Sequence, residues 1–165
     1  MDFFRLVYGI IFRSTSTRIR CLVCVIQKFQ LKRDSVIAKL SSRWLERYGV
    51  YISHNAKIGK QLGLPHPTSI VIGEGVVIGA DVTIYQSVTL GGRVIGDWEK
   101  GNYPQISDGC VIFAGAVIVG KVRVGKNCIV GANSVVTSDI PDYAVAVGAP
   151  ARVVKFRASY FGEKD

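Results

Sequence analysis

Ile72-Gly73-Glu74-Gly75-Val76-Val77-Ile78-Gly79-Ala80-Asp81-Val82-Thr83-Ile84-Tyr85-Gln86-Ser87-Val88-Thr89-Leu90 carries an aliphatic residue at every sixth place. The beat extends both ways. Ile52, Ile58 and Leu64 precede it across a two-residue slip, and Ile106, Ile112, Ile118, Val124, Val130 and Val136 follow a longer break. Four residues after each member comes a second set, small or aliphatic: Ala56, Leu62, Thr68, Val76, Val82, Val88, Cys110, Ala116, Val122, Cys128, Ser134 and Ile140. Gly59, Gly73, Gly79, Gly91, Gly125 and Gly131 directly follow aliphatic members. An amphipathic helix would return its apolar face every three or four residues, and a half-buried strand every two. A sustained period of six is the signature of a parallel β-helix.

Each hexapeptide supplies a short strand and a turn, with the aliphatic side chain inward and the glycine expected to ease the corner through its tolerance of positive φ. Three such sides make a coil. Residues eighteen apart then stack about 4.8 Å from one another, which sets Cys110 over Cys128 and Ile112 over Val130. The chain has 165 residues, 48% of them hydrophobic, and 18 glycines, enough for one substantial core. The coils are expected over 51–140, with a loop at 91–105 where the beat breaks, and residues 141–165 as a C-terminal tail.

Residues 1–50 lack the beat. Their apolar residues recur at helical spacings, as in Leu6 and Ile10, Leu22, Ile26 and Phe29, or Val36, Leu40 and Trp44, which predicts two or three helices over the open end of the solenoid. This segment supplies +7 of the formal net charge of +9. Such polarity suits contact with an anionic membrane face or collection of an acidic substrate, and equally a solvated helical cap. Leu6–Phe12 and Cys21–Ile26 are bounded by Arg5, Arg13, Arg20 and Lys28, too short to span a bilayer. No signal-peptide cleavage pattern follows, so a cytoplasmic protein, with peripheral membrane contact open, is expected. Despite a sequence pI of about 9.6, no nucleic-acid-binding motif is present.

Cys21 and Cys24 have CxxC spacing without a second pair, and Cys110 and Cys128 fall on inward positions, so all four read as structural thiols. With only His54 and His66 in the chain, no three-histidine metal site can form and no metal is expected.

The segments Leu64-Pro65-His66-Pro67-Thr68-Ser69-Ile70-Val71-Ile72-Gly73, Gln86-Ser87-Val88-Thr89-Leu90-Gly91-Gly92, Gly109 to Gly115, and Val147-Gly148-Ala149-Pro150-Ala151-Arg152 together resemble the serine acetyltransferases and related hexapeptide O-acetyltransferases. The resemblance runs over roughly 50–155 in order and spacing. It implies a mainly β fold, a left-handed parallel β-helix with an N-terminal helical segment, and a homotrimer with active sites between subunits. It also implies acetyl-CoA as donor and a histidine base at His66. Imidazole suits that role, since a hydroxyl is a poor nucleophile until a base titrating near neutrality removes its proton.

By the same resemblance, Ala114, Gly115 and Ala132 would let the pantetheine arm lie along the coil edge, although small side chains there could equally be ordinary corner residues. On chemistry alone, backbone amides at Gly91 and Gly92 could hold the oxyanion, and Arg152, Lys155 and Arg157 could meet the CoA phosphates or form a solvated basic tail. The loop 91–105 would close over the site. Where serine acetyltransferases place an aspartate before the base, this chain has Pro65; where they place an arginine and a histidine before the closing proline, it has Asn102 and Tyr103; the aspartate orienting the base falls on Tyr51. Each change removes charge suited to a zwitterionic amino acid. The expected acceptor is therefore a saccharide hydroxyl of capsule, exopolysaccharide or O-antigen type, met by Trp98, Asn102 and Tyr103 on the loop. The alternatives are serine O-acetylation and a catalytically silent β-helix used in assembly. Trp98 and Tyr103 could also simply pack the loop onto the coil.

Overall fold

The computed structural model describes residues 19, 21–24 and 36–157. Three sheets of short strands run the length of the solenoid. The first stacks β1 (Val50–Ile52), β3 (Ile70–Ile72), β6 (Thr89–Gly91), β9 (Val117–Val119) and β12 (Val135–Val136). In the second, β2 (Lys57–Ile58), β4 (Val77–Ile78), β7 (Gln105–Ile106) and β10 (Arg123–Val124) lie in order. The third holds β5 (Thr83–Ile84), β8 (Val111–Ile112), β11 (Ile129–Val130), β13 (Ala144–Gly148) and β14 (Ala151–Phe156). All ladders are parallel except β13 with β14. The chain visits the sheets in rotation, forming the left-handed parallel β-helix expected from the beat and the resemblance.

Inner columns follow directly from register. Ile52 stacks on Ile72, then Leu90, Ile118 and Val136, each at most 1% exposed. Each such side chain contributes roughly 1.5–3 kcal/mol by leaving water. The second set closes the column between strands, with Val50, Ile70, Val88, Ala116 and Ser134 all fully buried. Thr68, counted with that set in the sequence, is exposed instead. The two extra residues of the first coil bulge out around it, and Ile70 takes the inner place opposite Val50.

The corner glycines have a different reason from the one expected. Positive φ falls on Gln61, Asp81, Gly109, Asn127 and Tyr143 at one corner, and on Ser69, Ser87, Gly115 and Asn133 at another. Gly59, Gly79 and Gly125 are glycine because a Cβ there would collide with backbone of the next coil at Gly79, Asp108 and Asp142. Close stacking, not chirality, demands them.

Residues 21–24 are helical, and α1 (Val36–Glu46) follows; both pack at the open first coil, where Ile19, Leu22, Val23 and Leu45 join the core. The stretches around Leu6–Ile10 and Ile26–Phe29 lie outside the described residues. The buried face of α1 is Ser41, Ser42 and Leu45, whereas Val36, Leu40 and Trp44, the apolar spacing seen in the sequence, are 66%, 50% and 46% exposed. Helical periodicity located the stripe correctly but not its orientation.

Residues 141–157 are not a tail. β13 extends the third sheet by pairing with β11, and β14 folds back antiparallel across it, with Arg157 Nη1 donating to the Asn127 carbonyl at 3.1 Å.

Candidate active site on two edges of the β-helix

The triangular section has three edges. The first joins the first sheet to the second, at residues 53–56, 73–76, 92–104 and 120–122; the third joins the third sheet to the first, at 65–69, 85–88, 113–116 and 131–134. The candidate residues divide between these two edges.

His66 sits on the third edge, exposed, its ring centroid 6.1 Å from that of Tyr85. Tyr85 stacks on Phe113 at 5.1 Å and 15°. This aromatic ladder follows from register, because Tyr85 and Phe113 each directly follow paired inner residues, Ile84 and Ile112. Neither was singled out in the sequence. Ala114, Gly115 and Ala132 continue up the same edge, where Gly115 has φ of 71° and Ala132 is exposed. On this edge too lies Gln86, whose buried Oε1 has no hydrogen-bond partner among the described residues.

Gly91, Gly92, Trp98, Asn102 and Tyr103 belong to the first edge. A Cβ at Gly91 would meet nothing within 4 Å, so packing within the chain does not require glycine there and its backbone stands open to a visitor. The loop beyond it is built around an acid that the sequence reading passed over. Asp97 opens the short helix α2 (Asp97–Lys100), and although only 4% exposed, it accepts from the backbone N–H of Arg93 at 2.6 Å and of Val94 at 2.8 Å, and from Asn102 Nδ2 at 2.9 Å. These bonds, first that from Val94, then Asn102 and Arg93, hold its carboxyl below the ordinary value against the opposing effect of burial. One carboxylate thereby ties the outgoing and returning arms of the loop together.

Tyr103 lies flat against the coil. Its ring occupies the space a side chain would need at Gly75 and touches that needed at Gly73. Burial, then the charges of Glu74 and Asp97, raise its phenol above the ordinary value. Asn102 and Tyr103 thus hold the loop down; of the two aromatics that could have packed it onto the coil, Tyr103 does so, while Trp98, 57% exposed, and Ile95, 95% exposed, stand clear.

Arg152 is exposed on β14, at the end of the third sheet. Cys110 and Cys128 are fully buried, their Sγ donating to the carbonyls of Gly125 and Pro141, both at 2.9 Å. The adjoining Cys128 thiol and burial push Cys110 far above the usual thiol range, which leaves it inert as a nucleophile. Cys21 is buried and Cys24 half-buried, and neither is in a disulfide. Among the described residues no cluster of three metal-binding side chains occurs.

Residues 103–138 match the bacterial transferase hexapeptide, six repeats, and residues 69–95 match the hexapeptide repeat of succinyl-transferase. Over these residues the chain carries the hexapeptide repeats of bacterial transferases, and along most of its length it is similar to serine acetyltransferases. It is 41% identical over 142 residues to that of Staphylococcus epidermidis, covering 84% of this chain and 65% of the relative. Among solved structures, a serine acetyltransferase in complex with CoA superposes with TM-score 0.74 at 34% identity, covering 89% of this chain and 60% of the other. Soybean serine acetyltransferase complexed with serine gives TM-score 0.71 at 36% identity, with coverage of 91% and 65%. This hexapeptide-repeat protein therefore spans slightly less than two thirds of the length of these relatives.

Proposed function

We propose that this chain transfers an acetyl group from acetyl-CoA to a hydroxyl, with His66 as general base. The observation carrying the proposal is that His66 shares one edge with Ala114, Gly115 and Ala132, in a chain whose likeness to serine acetyltransferases includes one solved with CoA. In this reading the pantetheine arm of the donor runs up the third edge and its phosphates reach toward Arg152. The His66 imidazole takes the acceptor's hydroxyl proton, and the oxygen attacks the thioester carbonyl. The tetrahedral oxyanion, stabilised by amides at Gly91 and Gly92, collapses with expulsion of the CoA thiolate, which receives the proton. No acyl-enzyme is needed, in keeping with the full burial of both thiols of the column.

The two halves stand on different edges of one chain, which supports a site completed by a second copy: His66 and the donor edge from one subunit, Gly91, Gly92 and the 92–104 loop from its neighbour. A closed ring of three such copies is the proposed assembly. The exposed Val94, Ile95 and Trp98 would then face the neighbour's third edge.

L-serine is the acceptor that the comparisons favour, because the relatives and solved neighbours are serine acetyltransferases, and nothing in their names refers to a saccharide. The serine alternative is thus better supported than the saccharide first expected. A saccharide hydroxyl stands as the second reading on one observation. Pro65, Asn102 and Tyr103 carry no charge where serine acetyltransferases carry an aspartate, an arginine and a histidine, and Asn102 is already bonded to Asp97. Peripheral contact with an anionic membrane through residues 1–50 rests on their +7 charge; no described helix is long and apolar enough to cross a membrane.

Acetyl-CoA turnover and thiol release on L-serine and on neutral and acidic saccharides, with His66→Ala alongside, test the reading. Transfer by the parent and loss of at least about 100-fold in the variant are expected. Equal turnover by both would remove His66 as base, and no turnover together with no CoA binding would favour a silent assembly protein.

A further inference from the structure

One polar atom on the His66 edge lacks the partner that burial demands. Oε1 of Gln86 is shielded from solvent, yet accepts no hydrogen bond among the described residues. A buried acceptor without a donor costs stability, and an apolar side chain of similar shape, such as methionine, would fill the place without that cost. A side chain kept against local stability marks a site where a ligand supplies what the fold does not.

Register fixes where the amide lies. Ile84, Ile112 and Val130 stack in the third sheet, so two residues further on Gln86, Ala114 and Ala132 take the same place on successive coils. Bonds between coils keep step, with Gly115 N–H donating to the Gln86 carbonyl at 3.0 Å and Asn133 N–H to that of Ala114 at 2.9 Å. The column thus sets two methyl groups above one amide, at intervals of about 4.8 Å. Ser87 N–H donates to the Thr68 carbonyl at 3.0 Å, and the Tyr85 ring centroid lies 6.1 Å from that of His66, which puts Gln86 on the coil directly above the His66 segment. Gln86 as a whole is half-buried. The last torsion of a glutamine is broad, so a turn of the amide carries Oε1 from the interior to the surface of the edge.

A chain lying along this column past Ala132 and Ala114 meets the Gln86 amide before it reaches His66. The pantetheine arm of acetyl-CoA carries two secondary amides, and the N–H of the nearer one is separated from the thioester sulphur by two methylenes. We propose that Gln86 positions the donor, its Oε1 accepting from that N–H and so holding the thioester beside His66. The proposal rests on acetyl-CoA being the donor.

The test pairs equilibrium binding with thermal unfolding, on the full chain of the parent and of Gln86→Met. The binding probes are CoA and its adenosine bisphosphate head, which lacks the pantetheine arm. Expected results are a ligand-free Tm about 2–4 °C higher in the variant, CoA binding about tenfold weaker, and unchanged binding of the head. A merely structural glutamine would not move stability and affinity in opposite directions. Unchanged CoA affinity, or equal weakening toward both probes, would overturn the contact, as would a lower Tm with CoA affinity retained. Gln86→Leu, read in the same way, takes the place of the methionine variant if that one folds poorly. Failure of the parent itself to bind CoA would remove the acetyl-CoA reading and this contact together, whereas binding by the parent that neither variant weakens removes the contact alone.

Discussion

His66 and Asp97 show how differently two functional-looking residues declare themselves. His66 was conspicuous in the sequence through its neighbours, and it stands exposed on an edge free of bulky side chains up to Ala132 except for the Tyr85 and Phe113 rings. Asp97 gave no such signal, because a lone acid in a polar loop is ordinarily a solvated one. Only the fold shows that it gathers Arg93, Val94 and Asn102. Its depressed carboxyl has a definite pH consequence. A group whose folded pKa lies below its unfolded value contributes its stabilisation above the unfolded value, about 3.9, and loses it as pH falls through the folded one. Trp98 fluorescence should accordingly report a loop transition below about pH 4 in the parent. Asp97→Asn, which has no such titration, should lack it; an identical transition in both proteins would show that Asp97 does not hold the loop. At Gly75 the prediction is steric. Gly75→Ala would drive a methyl into the Tyr103 ring and cost about 1–3 kcal/mol in urea denaturation. Combining it with Tyr103→Ala should recover most of that loss, while strict additivity of the two would place the ring elsewhere.

At the scale of elements, the coils were legible because one rule repeats: Ile52, Ile72, Leu90, Ile118 and Val136 form a column whose members the sequence already set in phase. Ile112→Ala, at a fully buried position of the third sheet, should cost about 2–5 kcal/mol, read as a lower urea midpoint. A loss below about 0.5 kcal/mol would mean that the column collapses around the gap. What did not repeat was harder to read. The left-handed corners fall on Gln61, Asp81, Gly109, Asn127 and Tyr143, residues too varied to announce φ, because backbone bonds between coils, such as Asn127 N–H to the Asp108 carbonyl, impose the turn. The final hairpin was taken for a tail because Ala151–Phe156 alternates weakly and carries two cations, while its partner β13 owes its burial to β11. In α1 the periodic stripe of Val36, Leu40 and Trp44 faces out, with Arg47 5.8 Å from the Trp44 ring, while Leu45 joins Ile19, Leu22 and Val23 against the first coil. Periodicity identifies a face; only packing decides which neighbour it meets.

For the whole molecule, the decisive geometry is the separation of the His66 edge from the 92–104 edge. A solenoid is stiff across its section, so the two cannot approach by a change within one coil. The candidate catalytic residue was legible in the sequence, but the division of the site was not, because edge membership depends on counting turns through a two-residue bulge and a long loop. The account's central claim is that acetyl transfer takes place between copies. Its most direct test is complementation: co-expressing His66→Ala with a chain whose loop residues 93–102 are replaced by a short glycine linker, and purifying the mixed assembly through two tags. Each parent variant alone should be inactive. If neighbouring copies share a site, every mixed trimer holds one complete site, so the two-tag fraction regains about a third of the sites and a corresponding fraction of acetyl-CoA turnover. Mixed assemblies that form in good yield yet remain as inactive as either variant would contradict the claim.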